Sequence, residues 1–310
     1  MKIEESIARF AQYVSSERRL AEGTVRYYVG VSQQVGKYLA EQEIEDLEDI
    51  SANDIRGWLM QQIERGEMAS TVTKQTAALR AWFKFLRKEG HLDTDIMAKV
   101  SPPKQPKRLP IFFRESEVEH IYDDIYPDTY DGEVDKLVLR MLYETGMRRS
   151  ELAMLPLGNI DLGNLTIKVR GKRNKERMIP IENELANNIS KYIALRNMMI
   201  EQLRGEQEDW EPTERLLVDS KGKAVSDGKI YRIVEHYMPQ LSNADRTSPH
   251  IFRHSFATHM LNEGANIDAI KELLGHSDLA STEVYTHVTR EHLKEAYKHA
   301  HPRATKNKEV

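Results

Sequence analysis

Cysteine is absent from all 310 residues. That excludes a disulfide framework, a thiolate nucleophile and any cysteine-ligated zinc or iron–sulfur site. Long apolar runs are missing too: no stretch approaches the roughly 20 residues that a membrane-spanning helix needs. The opening MKIEESIARF is acidic and is neither a secretion signal nor an anchor. The expected location is cytoplasmic, with no membrane partner. A GxxxxGK[ST] phosphate loop is lacking as well. Gly171-Lys172-Arg173 has neither the first glycine nor the closing hydroxyl, so a nucleotide-hydrolysing engine is not expected. His250 and His254 are spaced like two zinc ligands on one helix face, yet Ile251 stands where the zinc-protease pattern needs glutamate. Spacing suggests no third ligand, and neither a metal nor another cofactor is expected. Internal repeats and low-complexity tracts are also missing.

What is present suits a folded protein of two domains: 40% of residues are hydrophobic and 30% charged. The net charge of −4 speaks at first against a nucleic-acid partner, but the charges separate into blocks. Seven acids and no base lie between Glu41 and Asp54, and six acids and no base between Asp123 and Asp135. Against these stand Lys74, Arg80, Lys84, Arg87 and Lys88 in the acid-free stretch from Ala69 to Lys88. Lys104, Lys107, Arg108 and Arg114 follow in a second such stretch, and Lys168 to Arg177 holds six bases against Glu176 alone. One block alone is accounted for by a solvated helix face; three together point to a polyanion.

The fold class read from these patterns is mainly α with a small β-hairpin. Residues 1–100 read as four helices. Ile3, Ile7, Phe10 and Val14 repeat at helical spacing, and Thr24 is placed as the cap of a second helix through Tyr28, Val31, Val35 and Leu39. Ser51 with Asp54 resembles a capping box ahead of Ile55, Leu59 and Ile63. Ser70 opens a fourth helix with Leu79, Trp82, Phe83 and Leu86 inward and its bases outward. Residues 101–110, SPPKQPKRLP, carry four prolines and read as a stiff basic linker. Residues 111–300 mix helix with a hairpin. Its strands hold Leu165, Ile167 and Val169, then Met178 to Ile181, and its tip is Gly171 to Arg177. Pro180 cannot donate to a ladder, which makes the second strand short or an edge. Gly205 to Pro212 reads as a loop and residues 301–310 as a tail.

No single residue declares a chemistry, but a set of cations and imidazoles surrounds one potential nucleophile. His250 and Arg253 are three apart and share a helix face. His276 follows Gly275, a helix stop, and Tyr285 lies nine residues further on. Arg148 sits just after a helix end in YETGMRRSEL, and Lys172 lies at the hairpin tip.

Taken together, TGMRRSEL, RGKRNKER, SPHIFRHSFATHML and ELLGHSDLASTEVYTHV resemble the tyrosine recombinase (phage integrase-like) family, most of all its Xer-type members. The resemblance implies a four-helix core-binding (SAM-like) domain followed by an α+β catalytic domain. It also implies a catalytic set of Arg148, Lys172, His250, Arg253, His276 and Tyr285. Tyr285 would attack a DNA phosphodiester and hold the 3′ phosphate, and Lys172 would protonate the leaving 5′ oxygen. The two arginines would clamp the non-bridging oxygens, while His250 would take the tyrosine proton or steady the phosphate and His276 would bond a phosphate oxygen. Glu151 is either a brace for Arg148 or a solvated acid at a helix start. Expected DNA contacts are Lys74, Arg80, Lys84, Arg87, Lys88, Lys104, Lys107, Arg108, Arg173 and Lys175.

Implied partners are double-stranded DNA with a short two-armed site, a homo- or hetero-tetramer with a sister recombinase on two duplexes, and a septal DNA translocase as activator. Leu293, Ala296, Tyr297 and Ala300 form an apolar strip on a last helix, for which docking into a neighbouring subunit is favoured over folding back on its own domain. Arg149 departs from the family pattern, where an apolar residue is usual, and Arg173 replaces a frequent glycine. Chromosome dimer resolution is the leading role, and integration or inversion of a mobile element is the alternative. Only about 100 residues precede the linker, which speaks against an integrase with an added arm-binding domain.

Overall fold

The computed structural model describes residues 1–104, 112–123, 125–171, 175–206, 211–242, 248–275, 297 and 300. It separates into two compact units, Met1–Arg108 and Leu109–Val310.

The first unit is built from α1 (Ile3–Gln12), α2 (Glu22–Glu41), α3 (Ala52–Glu64) and α4 (Ala69–Lys88). Ile3, Ile7, Phe10 and Val14 all face inward, as their spacing requires. The capping box at Ser51 forms: its backbone N–H donates to Asp54 at 2.8 Å, and its hydroxyl accepts from the Asn53 N–H at 3.2 Å. Three local expectations are corrected. Thr24 does not cap α2, because the helix starts two residues earlier with Ala21 at its cap and Glu22 in its first turn, where an acid complements the helix dipole. Ser70 likewise lies inside α4, behind Met68 at the cap. Ile63 stays exposed, and the inner face of α3 is instead completed by the larger Trp58. Trp58, Trp82, Phe83, Leu79 and Leu86 form the centre of this core.

The second unit contains α5 (Glu115–Glu119), α6 (Tyr130–Thr145), α7 (Arg149–Ala153), β1 (Ile160–Asp161), β2 (Thr166–Arg170), β3 (Glu176–Pro180), α8 (Asn183–Glu206), α9 (Asp227–Leu241), α10 (Pro249–Asn262) and α11 (Ile267–Leu274). The described strands form one antiparallel sheet in the order β1-β2-β3, with Ile167 opposite Ile179 and Val169 opposite Arg177. The hairpin therefore gains a third, two-residue strand that its short sequence did not announce. β3 is an edge strand, and Pro180 sits at its end opposite Thr166, where its missing donor costs nothing. Helix α8 continues through Gly205, so the expected loop begins later than Gly205.

Helix α6 runs through the core and is buried on almost every side from Leu137 to Thr145. Gly146 ends it in the left-handed conformation, φ 59°. A Cβ there would lie 2.5 Å from Phe256 Cδ1 and 2.9 Å from Leu274 Cδ2. Glycine thus both permits the turn and lets α10 and α11 close on the end of α6. Ser248 caps α10 and Pro249 occupies its first position.

The described end of the chain packs on the second unit's last helices. Tyr297 and Ala300 are buried against Phe256, Met260, Ile270 and Leu273 of their own chain, and the Tyr297 hydroxyl donates to the Glu144 carbonyl at 2.7 Å. In the single chain these two residues fill an apolar socket made by α10 and α11. Leu293 and Ala296 lie outside the described residues. Among the described residues, no helix is long and apolar enough to cross a membrane.

Candidate active site

Three elements meet where α6 ends. Arg148 occupies the cap position of α7, two residues past Gly146, and Glu151 stands in the first turn of the same helix. Glu151 Oε2 accepts the Arg148 backbone N–H at 2.8 Å, and its Oε1 accepts Arg148 Nη1, also at 2.8 Å. One carboxylate thus satisfies a helix-start donor and holds a guanidinium, and because Glu151 is buried the brace reading holds and the solvated-acid reading does not. Burial works to raise the Glu151 carboxyl, but Arg177 and Arg148 outweigh it and hold the group below the ordinary carboxylate range.

Arg253 comes from the first turns of α10 and is almost wholly buried. Its Nη1 donates to the Gly146 carbonyl at 2.8 Å and its Nη2 to the Leu274 carbonyl at 2.6 Å. Arg148 Nη2 reaches the next carbonyl, that of Gly275, at 3.3 Å. The two arginines are therefore brought together on adjacent peptide groups at the C-terminal end of α11. Burial, then the neighbouring Arg148 and Arg177 guanidiniums, push Arg253 down to about 10. It remains charged at neutral pH, in a setting where its charge acts over a low dielectric.

His250 lies one turn before Arg253. Partial burial, then His254, Arg253, Arg149 and Arg148, push its imidazole below the ordinary value. A neutral imidazole beside two guanidiniums can accept a proton at physiological pH. Its neighbour Arg149, an unusual residue for the resembled family, forms a two-pronged pair with Asp227 on α9 at 2.7 and 2.5 Å, which explains how a cation is tolerated there.

Lys172, His276 and Tyr285 fall outside the described residues, as do Lys107, Arg108 and Arg173. Gly275, the last described residue before His276, closes α11 at φ 64°. Lys175 and Lys104 are exposed. In the first unit, Lys74, Arg80, Lys84, Arg87 and Lys88 share one exposed face of α4. Arg80, Lys84 and Arg87 line a surface pocket of about 420 Å³ with Asp95, Met97 and Ala98. Arg80 donates to the Val100 carbonyl, Arg87 pairs with Asp95 at 2.9 Å, and Lys88 lies 5.0 Å from the centre of the Tyr13 ring.

One residue of the cluster escaped sequence reasoning. Arg177 on β3 donates to both oxygens of Glu151 at 3.1 and 2.7 Å and, through Nε, to the Leu273 carbonyl at 2.6 Å. The alternation of the hairpin held the signal: Arg177 pairs with inward-facing Val169, and a charged side chain at a core register position must find a partner. Among the described residues, no group of three or more His, Cys, Asp or Glu side chains stands close enough to hold a metal ion.

A buried and a half-buried guanidinium, a carboxylate brace and a neutral imidazole around one helix end make a centre for stabilising a negatively charged transition state. Comparison with known families gives that centre its class. Residues 112–292 match the phage integrase family and residues 7–90 its N-terminal SAM-like domain. The chain belongs to the phage integrase family of tyrosine recombinases, enzymes that cleave and rejoin DNA.

Among curated relatives it is 32% identical over 295 residues to the tyrosine recombinase XerC of Anoxybacillus flavithermus, covering 95% of this chain and 97% of that protein. It is 33% identical over 298 residues to the tyrosine recombinase XerC of Bacillus subtilis, covering 96% of each. Among solved structures, a lambda integrase tetramer bound to a Holliday junction matches with a TM-score of 0.68 at 18% identity, over 91% of this chain and 76% of that one. That likeness is one of fold.

Proposed function

We propose that this chain is a site-specific recombinase of Xer type. It cleaves and rejoins double-stranded DNA at a short two-armed site through a 3′-phosphotyrosyl intermediate, working as a homo- or hetero-tetramer that resolves chromosome dimers in the cytoplasm. Residues 1–100 act as the DNA-embracing domain, residues 101–110 as the linker and residues 111–300 as the catalytic domain. The observation that carries the reading is the seating of Arg148 and Arg253 on adjacent carbonyls of α11, directly before His276 in sequence. The near full-length similarity to recombinases named XerC supports the biological role.

In the proposed step, the Tyr285 oxygen bonds to phosphorus as the bond from phosphorus to the 5′ oxygen breaks. The phenolic proton passes to His250, which its lowered proton affinity keeps unprotonated and free to accept, and Lys172 gives a proton to the departing oxygen. Arg148 and Arg253 hold the non-bridging oxygens with paired donors that lysine cannot reproduce. His276 bonds one of those oxygens, and the ester to tyrosine keeps the energy of the broken link for religation.

The test is covalent capture. The parent chain, incubated with genomic DNA and denatured, is expected to retain a tyrosine-linked fragment, while Tyr285→Phe retains none. A covalent product from that variant removes the mechanism. Fragments mapping to the ends of a mobile element, instead of one chromosomal site, would replace dimer resolution with integration.

A further inference from the structure

The last carbonyls of α11 gather three guanidiniums in succession: Arg177 at Leu273, Arg253 at Leu274 and Arg148 at Gly275. Two of these arginines are assigned above to the phosphate. Arg177 has a different character. Its side chain is only 8% exposed, and its Nε, Nη1 and Nη2 are all engaged with the Leu273 carbonyl and the two Glu151 oxygens. A guanidinium so occupied on three sides is arranged to hold protein groups, with little left to offer a ligand.

We infer that Arg177 is a positioning residue for strand cleavage, fixing Glu151, and through it the guanidinium of Arg148, against the C-terminal turn of α11. The inference rests on the recombinase reading above. Glu151 Oε1 is shared between Arg148 Nη1 at 2.8 Å and Arg177 Nη1 at 3.1 Å. The two-pronged grip of Arg177 fixes the plane of the carboxylate, and that plane sets the direction in which Arg148 is held. With Arg177 removed, Glu151 keeps Arg148 as its charged partner and can swing with it, while α11 loses its tie to β3. The packing leaves no slack. A Cβ added to Gly275 would stand 3.2 Å from Arg177 Cδ and 3.3 Å from its Nη1, at a backbone φ of 64° that already favours glycine. Arg177 thereby joins three separate segments, the hairpin, the start of α7 through the Glu151 carboxylate and the end of α11 through the Leu273 carbonyl.

The experiment uses the full chain and a nicked suicide duplex carrying the site that this chain selects from a random-sequence pool. The duplex is made with either an ordinary scissile phosphodiester or a neutral methylphosphonate. A methylphosphonate lacks the charge that Arg148 neutralises, so an enzyme whose defect is a misaimed Arg148 loses little on it. For R177K, duplex affinity is expected to stay within about twofold of the parent. Adduct formation is expected to slow by about 10- to 100-fold on the phosphodiester and by less than about 3-fold on the methylphosphonate. E151Q is expected to show the same contrast. An arginine that merely supports folding lowers the active fraction and slows both substrates alike. Equal slowing on the two, or no slowing on either, overturns the inference. Absence of any adduct from the parent chain on the phosphodiester instead removes the recombinase reading itself, and this inference with it.

Discussion

On α4, five cationic side chains line an exposed helix face, with Lys84 beside a pocket and Arg87 leaning on Asp95. At the end of α11, by contrast, three guanidiniums, two of them almost wholly buried and Arg148 half-buried, are fixed on main-chain carbonyls and one shared carboxylate. The first arrangement makes a field that tolerates small displacements and is screened by salt. The second makes directed donors whose ordering cost is met on folding, before any substrate arrives. Charge of one sign therefore serves two purposes in this chain, and burial together with hydrogen-bond partners tells them apart.

The sharpest way to break that contrast is Arg253→Lys. Lysine keeps the charge but cannot span the Gly146 and Leu274 carbonyls, so single-turnover cleavage is expected to fall by about 100- to 1000-fold, with duplex binding nearly unchanged by gel shift. Equal loss of binding and cleavage would place Arg253 with the α4 field. A smaller effect concerns His250. Its depressed proton affinity keeps it neutral at pH 7, so the acid limb of the cleavage profile is expected below the ordinary imidazole value of about 6.5 and to flatten in His250→Gln. The same depression means that the folded state takes up this proton less readily than the unfolded chain does. Stability is thus lost as pH falls through the ordinary imidazole range, and the loss levels off once His250 itself protonates.

Smaller still is Lys84→Ala. It is expected to leave the cleavage rate of bound complex intact and to lower the slope of log affinity against log salt by about 1. Arg87→Gln should change that slope less, because Asp95 already compensates Arg87. Titrations at several potassium chloride concentrations measure both.

Much of the architecture was legible because its signals are local. Gly146 and Gly275 stop helices by backbone conformation, Ser51 and Asp54 cap one, and alternation around Ile167 and Ile179 marks a hairpin. The misplacements have more than one cause. Thr24 is a competent cap, yet α2 starts two residues before it with an acid in its first turn, and Ile63 fits the helical period but loses the inner face to Trp58. β1 has two residues and exists by pairing with β2, so its own sequence could not reveal it. Within the candidate site, the spacing of His250 and Arg253 was readable along the chain. The junction at Glu151 joins residues 26 apart in sequence, and Arg177 looked like one more base in a basic tip. The burial of Tyr297 depended likewise on a socket assembled by α10 and α11.

Gly146, Leu273, Leu274 and Gly275 lend the arginines their peptide oxygens, not their side chains. An acceptor of that kind is present whatever amino acid is encoded, so substitutions on the exposed face of α11 leave the grip on the guanidiniums in place. Mutational drift can rewrite the lettering of that face while the helix's hold persists. What drift cannot do is alter the local path of the backbone, and the two glycines at 146 and 275 are where that restriction falls.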